Sequence, residues 1–307
     1  MAGVTKTANM SNVIAREVDF VTRFGSNWDQ LREIMGIMRP IRKTPGTQLV
    51  SYKASMADSA LATSPAEGVD VTFTTFNVEP VSYGTITVEK YGKAVSVEAV
   101  EKYGAEVAVE KTDEAFLTEL QNKVMNGFYT FLQTGTLKGS QKTFQRALAV
   151  AKGAVLNKFA GMNRTVTDVV AFVNVMDLYE YIGDATLSVQ TQFGLQYIKD
   201  FMGYSTVFLL PENVLAAGTV IATPVENIDL YYVDPSDSQF AKLGLEYTVD
   251  GETNLIGFHT EGNYRNATGE SYALMGMTLW AEFLDGICIV TVDSGKANSK
   301  PAVNPAS

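Results

Sequence analysis

The 307-residue sequence holds one cysteine, one histidine and two tryptophans. A lone cysteine, Cys288, cannot close an internal disulfide. Its neighbours Ile287 and Ile289 mark it as a small buried hydrophobe in a strand rather than a nucleophile. The lone histidine, His259, sits in LIGFHTEG with no second histidine or cysteine at ligand spacing. That removes Ser-His-Asp, Cys-His and zinc chemistry, and leaves a structural or surface residue. No GxxxxGKS/T occurs, and Gly135-Thr136-Leu137-Lys138-Gly139 has the wrong order for a phosphate loop. The acidic stretches Asp234-Pro235-Ser236-Asp237 and Asp250-Gly251-Glu252 read as ordinary turns rather than calcium loops. Apolar runs are only a few residues long, as in Ile287 to Val290, so no membrane-spanning helix is expected. The opening MAGVTKTANMSN lacks the apolar core of a signal peptide. These absences fit folding in a reducing cytoplasm, with no catalysis, cofactor or metal. They weigh against a cytosolic enzyme and point to a protein that works by shape and contact.

What is present suffices for a large core. Hydrophobic residues make up 46% and charged residues 19%, unlike a disordered chain. The length suggests two domains. The net charge of -10 is uneven. Residues 1–46 carry seven basic and four acidic side chains, or +3, whereas residues 205–295 carry Lys242 and Arg265 against thirteen acids, or -11. An acidic body without a basic groove argues against direct nucleic-acid readout.

The clearest element is a helix over 112–133. Leu117, Leu120, Val124, Phe128, Phe131 and Leu132 share one face, Asp113 and Glu114 sit in the first turn, and Gly135 reads as the stop. At 1.5 Å per residue it is ~33 Å long, a spine between two β-rich regions. Before it, two short helices are expected over about 13–24 and 27–38, the second marked by Asn27 and Gln30 at capping-box spacing. Too short to stand alone, they read as an arm over 1–44 lying on a surface supplied from elsewhere. Alternating stretches at Gln48 to Met56 and Val69 to Phe76 flank a small, polar tip, giving a projecting hairpin ~35 Å long. Thr85 to Val88 and Ala94 to Val97 continue the β signal. An isolated hairpin is marginal in water, so Tyr52, Phe73 and Phe76 are expected to be covered by a neighbouring subunit. The arm, through Val18, Val21, Trp28 and Leu31, is expected to do the same, its basic residues meeting the acidic end of another chain. After the spine, helices are expected at 141–159, 176–182 and 197–202. Strands are expected at 169–175, 207–210, 218–222, 229–233, 258–262, 274–282 and 286–292, and a tail follows.

Three stretches carry a resemblance. Pro45-Gly46-Thr47 opens a hairpin whose second arm follows Glu67-Gly68. Thr85 to Val97, TITVEKYGKAVSV, resembles the tyrosine-glycine-lysine and alternating-valine segment leading into a spine helix. Phe201-Met202-Gly203, a strand at Val207 and Gly218 to Leu230, GTVIATPVENIDL, form a "glycine, apolar strand, glutamate-asparagine, strand" passage. In this order they resemble the major capsid proteins of tailed bacteriophages, the Hong Kong-type fold, over about 45–293. The resemblance implies an α+β chain with an N-terminal arm (1–44), an extended loop (45–100), a peripheral domain holding the spine (101–139 and 258–307) and an α/β axial domain (140–257). It implies self-assembly through hexamers and pentamers into an icosahedral shell around packaged double-stranded DNA. A portal and a scaffolding protein would be partners, and the virion capsid, made in the bacterial host cytoplasm, would be the location. Tyr52, Lys53, Phe73 and Phe76 would be intersubunit contacts. Some relatives link subunits through a lysine and an asparagine, but no local motif around Lys53, Asn263 or Asn266 supports that here. An encapsulin-like compartment shell is the alternative within the fold; a phage tail or decoration protein fits the long spine less well.

Overall fold

The computed structural model describes residues 10–35, 39–57, 67–70, 73–183, 189–192, 195–225, 227–252 and 254–293. It opens with one helix, α1 (Met10–Met35), then strands β1 (Arg39–Lys43), β2 (Gln48–Met56), β3 (Phe76–Thr85) and β4 (Glu89–Ser96). The short helix α2 (Val97–Tyr103) and a π-helical turn at Glu106–Glu110 lead into the spine, α3 (Lys111–Leu132). Next come β5 (Leu137–Gln141), α4 (Phe144–Gly161), β6 (Val169–Asn174), α5 (Val175–Ile182), β7 (Gln190–Gln192), β8 (Leu195–Phe201), β9 (Tyr204–Leu210), β10 (Thr219–Pro224) and β11 (Ile228–Val233). A helical turn, α6 (Ser238–Ala241), precedes β12 (Ile256–Asn263), β13 (Thr268–Met275), β14 (Met277–Ala281) and β15 (Cys288–Val292).

Four sheets result. A seven-stranded mixed sheet has the order β5-β15-β10-β6-β9-β8-β7, and an antiparallel sheet has the order β12-β13-β4. A third, β1-β11-β14, ties residues after α1 to the C-terminal half, and β2 with β3 stand alone as a pair. The spine joins the two larger sheets. Its first half places Leu117 and Leu120 against Phe20, Phe24, Ile256 and Phe258. Its second half places Met125, Phe128, Tyr129 and Leu132 against Val170, Phe172 and Phe208 of the seven-stranded sheet. One amphipathic helix therefore lies in two cores. The other face of that sheet is covered by α4, through Ala147, Leu148, Ala151 and Val155, and by Leu178 of α5.

Three expectations are corrected. The first concerns the two arm helices, which form a single helix through Gly25 and Ser26. Phe20, Val21, Phe24 and Trp28 recur on one face and are all buried. Burying each is worth roughly 1.5–3 kcal/mol, which outweighs the ~1 kcal/mol cost of a mid-helix glycine. Second, the helix expected at 197–202 is strand β8. Tyr197 and Ile198 pair with Phe208 and Val207, and Met202 (φ 50) with Gly203 (φ 81) make the two-residue turn. Both turn residues have positive φ, as a type I′ hairpin requires. Third, the hairpin's second arm begins at Phe76 rather than ending there. The register runs from Gln48↔Thr85 to Met56↔Phe76, so the connecting segment spans 57–75, of which 58–66 and 71–72 lie outside the described residues.

Phe20 stacks on Phe258 with ring centroids 3.9 Å apart, and both are buried. Phe20→Ala is expected to lower unfolding free energy by about 3–5 kcal/mol in urea titrations, whereas Val18→Ala, on the exposed side of the same helix, changes it by less than about 0.5 kcal/mol. Equal effects at the two positions would mean that α1 is not part of the core.

Candidate assembly surfaces

The hairpin keeps its large side chains in solvent. Tyr52, Phe73 and Phe76 are 70%, 87% and 55% exposed, and Val78 is 59% exposed. Tyr52 lies opposite Pro80 and Phe76 opposite Met56 in the β2–β3 ladder, while Phe73 precedes β3. Lys53 pairs with Glu79 in register, and its side chain is outside the described residues. Pairing satisfies backbone groups between the two strands, but among the described residues no second layer covers these side chains. Tyr52, Phe76 and Val78 on one two-stranded ribbon, with Phe73 just before it, exceed what a solvated hairpin needs.

The arm behaves otherwise. Val21 and Trp28 are buried within their own subunit, and Val18 alone of the four expected contact residues is shown exposed. Leu31 lies in α1, and its side chain is outside the described residues. The expectation that Val21 and Trp28 reach a neighbour is thus corrected: continuity of α1 turns both onto the face that meets β12 and the spine. The charge pairing is also internal. Arg39 is 3.4 Å from Asp229, and Arg42 is 3.0 Å from Asp234 and 3.6 Å from Asp237. β1 lies parallel to β11 with Arg39 opposite Asp229, so the basic segment meets the acidic one in the same chain.

Two polar anchors fix the rotation of α1. Glu17 accepts hydrogen bonds from the Thr260 amide at 2.5 Å, the Thr260 hydroxyl at 2.6 Å and the Thr248 hydroxyl at 2.6 Å. His259 Nδ1 is 3.8 Å from the same carboxylate, and its ring meets Tyr247 edge to face. The single histidine is thus a half-exposed neighbour of a structural contact. The preceding residue, Arg16, donates to both oxygens of Asp113, at 2.5 and 2.7 Å, and to the Ser271 hydroxyl at 3.0 Å. Lys93 approaches Asp113 at 2.5 Å and also donates to the Thr112 hydroxyl at 2.7 Å. Burial raises the Asp113 pKa, but bonds from Arg16 and Lys93 outweigh it and hold the carboxyl below its ordinary 3.8. Lys93 shifts down as well, mainly through burial. The geometry decides for a charged pair, since two cationic groups converge on one buried carboxylate. Sequence reading placed Asp113 at the helix N-terminus only for its dipole; nothing local marks its partners, which are 97 and 20 residues away in the chain.

Beside the spine lies a groove of ≈ 380 Å³, walled by Phe131, Val124, Leu230, Met277 and Leu279, with Trp28 at its base. The buried Trp28 indole N–H has no hydrogen-bond partner among the described residues. Gly127 lines the same groove, and a Cβ there would meet nothing within 4 Å. Cys288 is buried and its thiol is pushed up to about 11, which makes it unreactive near neutrality. Among the described residues no group of three or more His, Cys, Asp or Glu is placed to hold a metal ion, and no helix is long and apolar enough to cross a membrane.

The lowered Asp113 pKa carries a sign. Its contribution is full above the ordinary carboxylate value and is lost as pH falls below 3.8 through the lowered value. Asp113→Asn should cost about 3 kcal/mol at pH 7, the low end for a broken buried pair because Arg16 is 32% exposed and can turn to water. It should also flatten the loss of stability on acidification. Urea titrations across that window check both; an unchanged acid slope would show that Asp113 does not hold α1.

No family model matches this sequence, and no curated protein matches it. Solved structures do match. The chain is similar to the asymmetric unit of the bacteriophage PhiM1 mature capsid, at TM-score 0.54 and 6% identity over 84% of this chain and 86% of that one. It is similar to the capsid of cyanophage P-SCSP1u, at TM-score 0.52 and 7% identity over 82% and 85%. It is also similar to the capsid of Myoviridae phage XM1, at TM-score 0.51 and 10% identity over 84% and 90%. The order of parts read from the sequence and the course of the backbone agree: the chain has the Hong Kong-type fold of phage major capsid proteins.

Proposed function

We propose that this chain is a major capsid protein that self-assembles through pentamers and hexamers into an icosahedral shell enclosing a phage double-stranded DNA genome. The capsid fold supports the class. The observation that carries the reading is the hairpin: Tyr52, Phe73 and Phe76 are uncovered in a subunit whose other aromatic cores are closed. In this reading residues 1–44 are the arm, 45–100 the extended loop, 101–139 with 258–307 the peripheral domain and 140–257 the axial domain. The hairpin clamps a neighbouring copy. The groove beside the spine is a suitable seat, because Phe131, Leu230, Met277 and Leu279 give it apolar walls and Gly127 leaves room for close approach. The shell holds DNA without reading its sequence, since the acidic body offers no basic groove. A portal, a separate scaffolding protein and synthesis in the host cytoplasm belong to the same reading. The role is structural, with no reaction catalysed.

Phe73→Asp and Phe76→Asp test it. Each should leave unfolding free energy within about 0.5 kcal/mol of the unmodified chain, because the sites are exposed, and each should stop closed shells from forming in electron micrographs. Shells that form normally from both variants would remove the hairpin from the intersubunit contact. Shells loaded with a protein cargo in place of DNA would move the reading to a cellular compartment.

A further inference from the structure

A concavity of ≈ 840 Å³ lies where α1, α2 and the far end of the β12-β13-β4 sheet meet. Val95, Val97, Val100 and Val109 give it an apolar wall. Glu246, Glu261 and Glu270 line it as well, and Glu17 closes its base. Arg16 is the one arginine or lysine among those lining it, beside His259, and its charge is engaged by Asp113. Glu246 and Glu261 have no cation beside them among the described residues, and residues 205–295 hold only two cations in all. An apolar wall with uncompensated carboxylates calls for an occupant that is both apolar and cationic.

The edge strand gives the occupant its form. β12 is the outer strand of its sheet. Its outward amides follow a period of two. The amide of Phe258 is taken by the Thr248 carbonyl at 2.9 Å, and that of Thr260 by Glu17 at 2.5 Å. The next outward position is Gly262, in the wall of the groove, where a Cβ would meet nothing within 4 Å. An exposed edge position without a side chain lets another backbone approach, as in strand addition.

We propose that this groove binds an extended peptide segment of a partner protein, with alternating apolar and cationic side chains, laid along the β12 edge at Gly262. Its apolar side chains rest on Val97 and Val100, and its cations meet Glu246 and Glu261. This site is separate from the hairpin and does not depend on the shell reading.

Fluorescence anisotropy on the full-length unassembled chain tests it. The probe is a labelled ten-residue peptide of alternating valine and lysine, and the control alternates valine and glutamate. The lysine probe should bind, the control should not, and affinity should fall several-fold between about 50 mM and about 300 mM salt. The E246K/E261K double variant, at two exposed positions, should bind the lysine probe roughly tenfold more weakly with an unchanged thermal unfolding midpoint. Gly262→Val should weaken binding without changing the salt dependence. Equal binding of both probes, or full binding by the double variant, overturns the proposal. Probe binding that competes with assembly of the unmodified chain and is absent from assembled particles also overturns it, by making the occupant a second copy.

Discussion

Burial of the spine helix along both halves of its length is the constraint on which the subunit depends. A 22-residue helix with an apolar stripe cannot be hidden by one small sheet. The chain solves this by giving the first half to α1 and β12 and the second half to the seven-stranded sheet. The consequence is a rigid rod to which both lobes are attached. The third sheet locks the arrangement, since β1 follows α1 directly and pairs with β11, which in turn pairs with β14. Arg39 and Arg42 on β1 and the acids beside β11 make that parallel pairing specific in register more than strong, because exposed ion pairs contribute little.

What the rod leaves uncovered is informative. The aromatic residues of α1, of the spine and of the seven-stranded sheet are packed within the subunit, yet Tyr52 and Phe76 of the β2–β3 ribbon, and Phe73 just before it, are exposed. That contrast is what supports the proposed role of the hairpin as an intersubunit contact.

Much of this was legible in the sequence because period and length agreed. The spine was read over 112–133 and stands at Lys111–Leu132; Leu117, Leu120, Phe128 and Leu132 are buried as the periodicity required. The strands near 169, 207, 229 and 288 were read from short apolar runs. The failures share one cause, which is long-range packing overriding a local signal. Gly25-Ser26 and the capping-box spacing at Asn27 argued for a helix break, and burial of Phe24 and Trp28 on either side removed it. Tyr197 and Ile198 fit a helical turn equally well, and only pairing with β9 made them a strand; Met202, an unusual turn residue, hid the hairpin. The parallel strand β1 and the Arg16–Asp113–Lys93 cluster have no local signature at all. The arm's docking onto its own subunit was therefore out of reach, although the charge asymmetry had already paired the right two segments.

The central claim is that one chain both closes its own spine and leaves its hairpin for a neighbour. Electron cryomicroscopy of the purified, assembled full-length protein at side-chain resolution tests it most directly. The account predicts closed icosahedral shells in which Phe20 stacks on Phe258 of its own subunit while Phe73 and Phe76 are covered by another. A discrete small oligomer, or shells in which the hairpin aromatics remain in solvent, would contradict it.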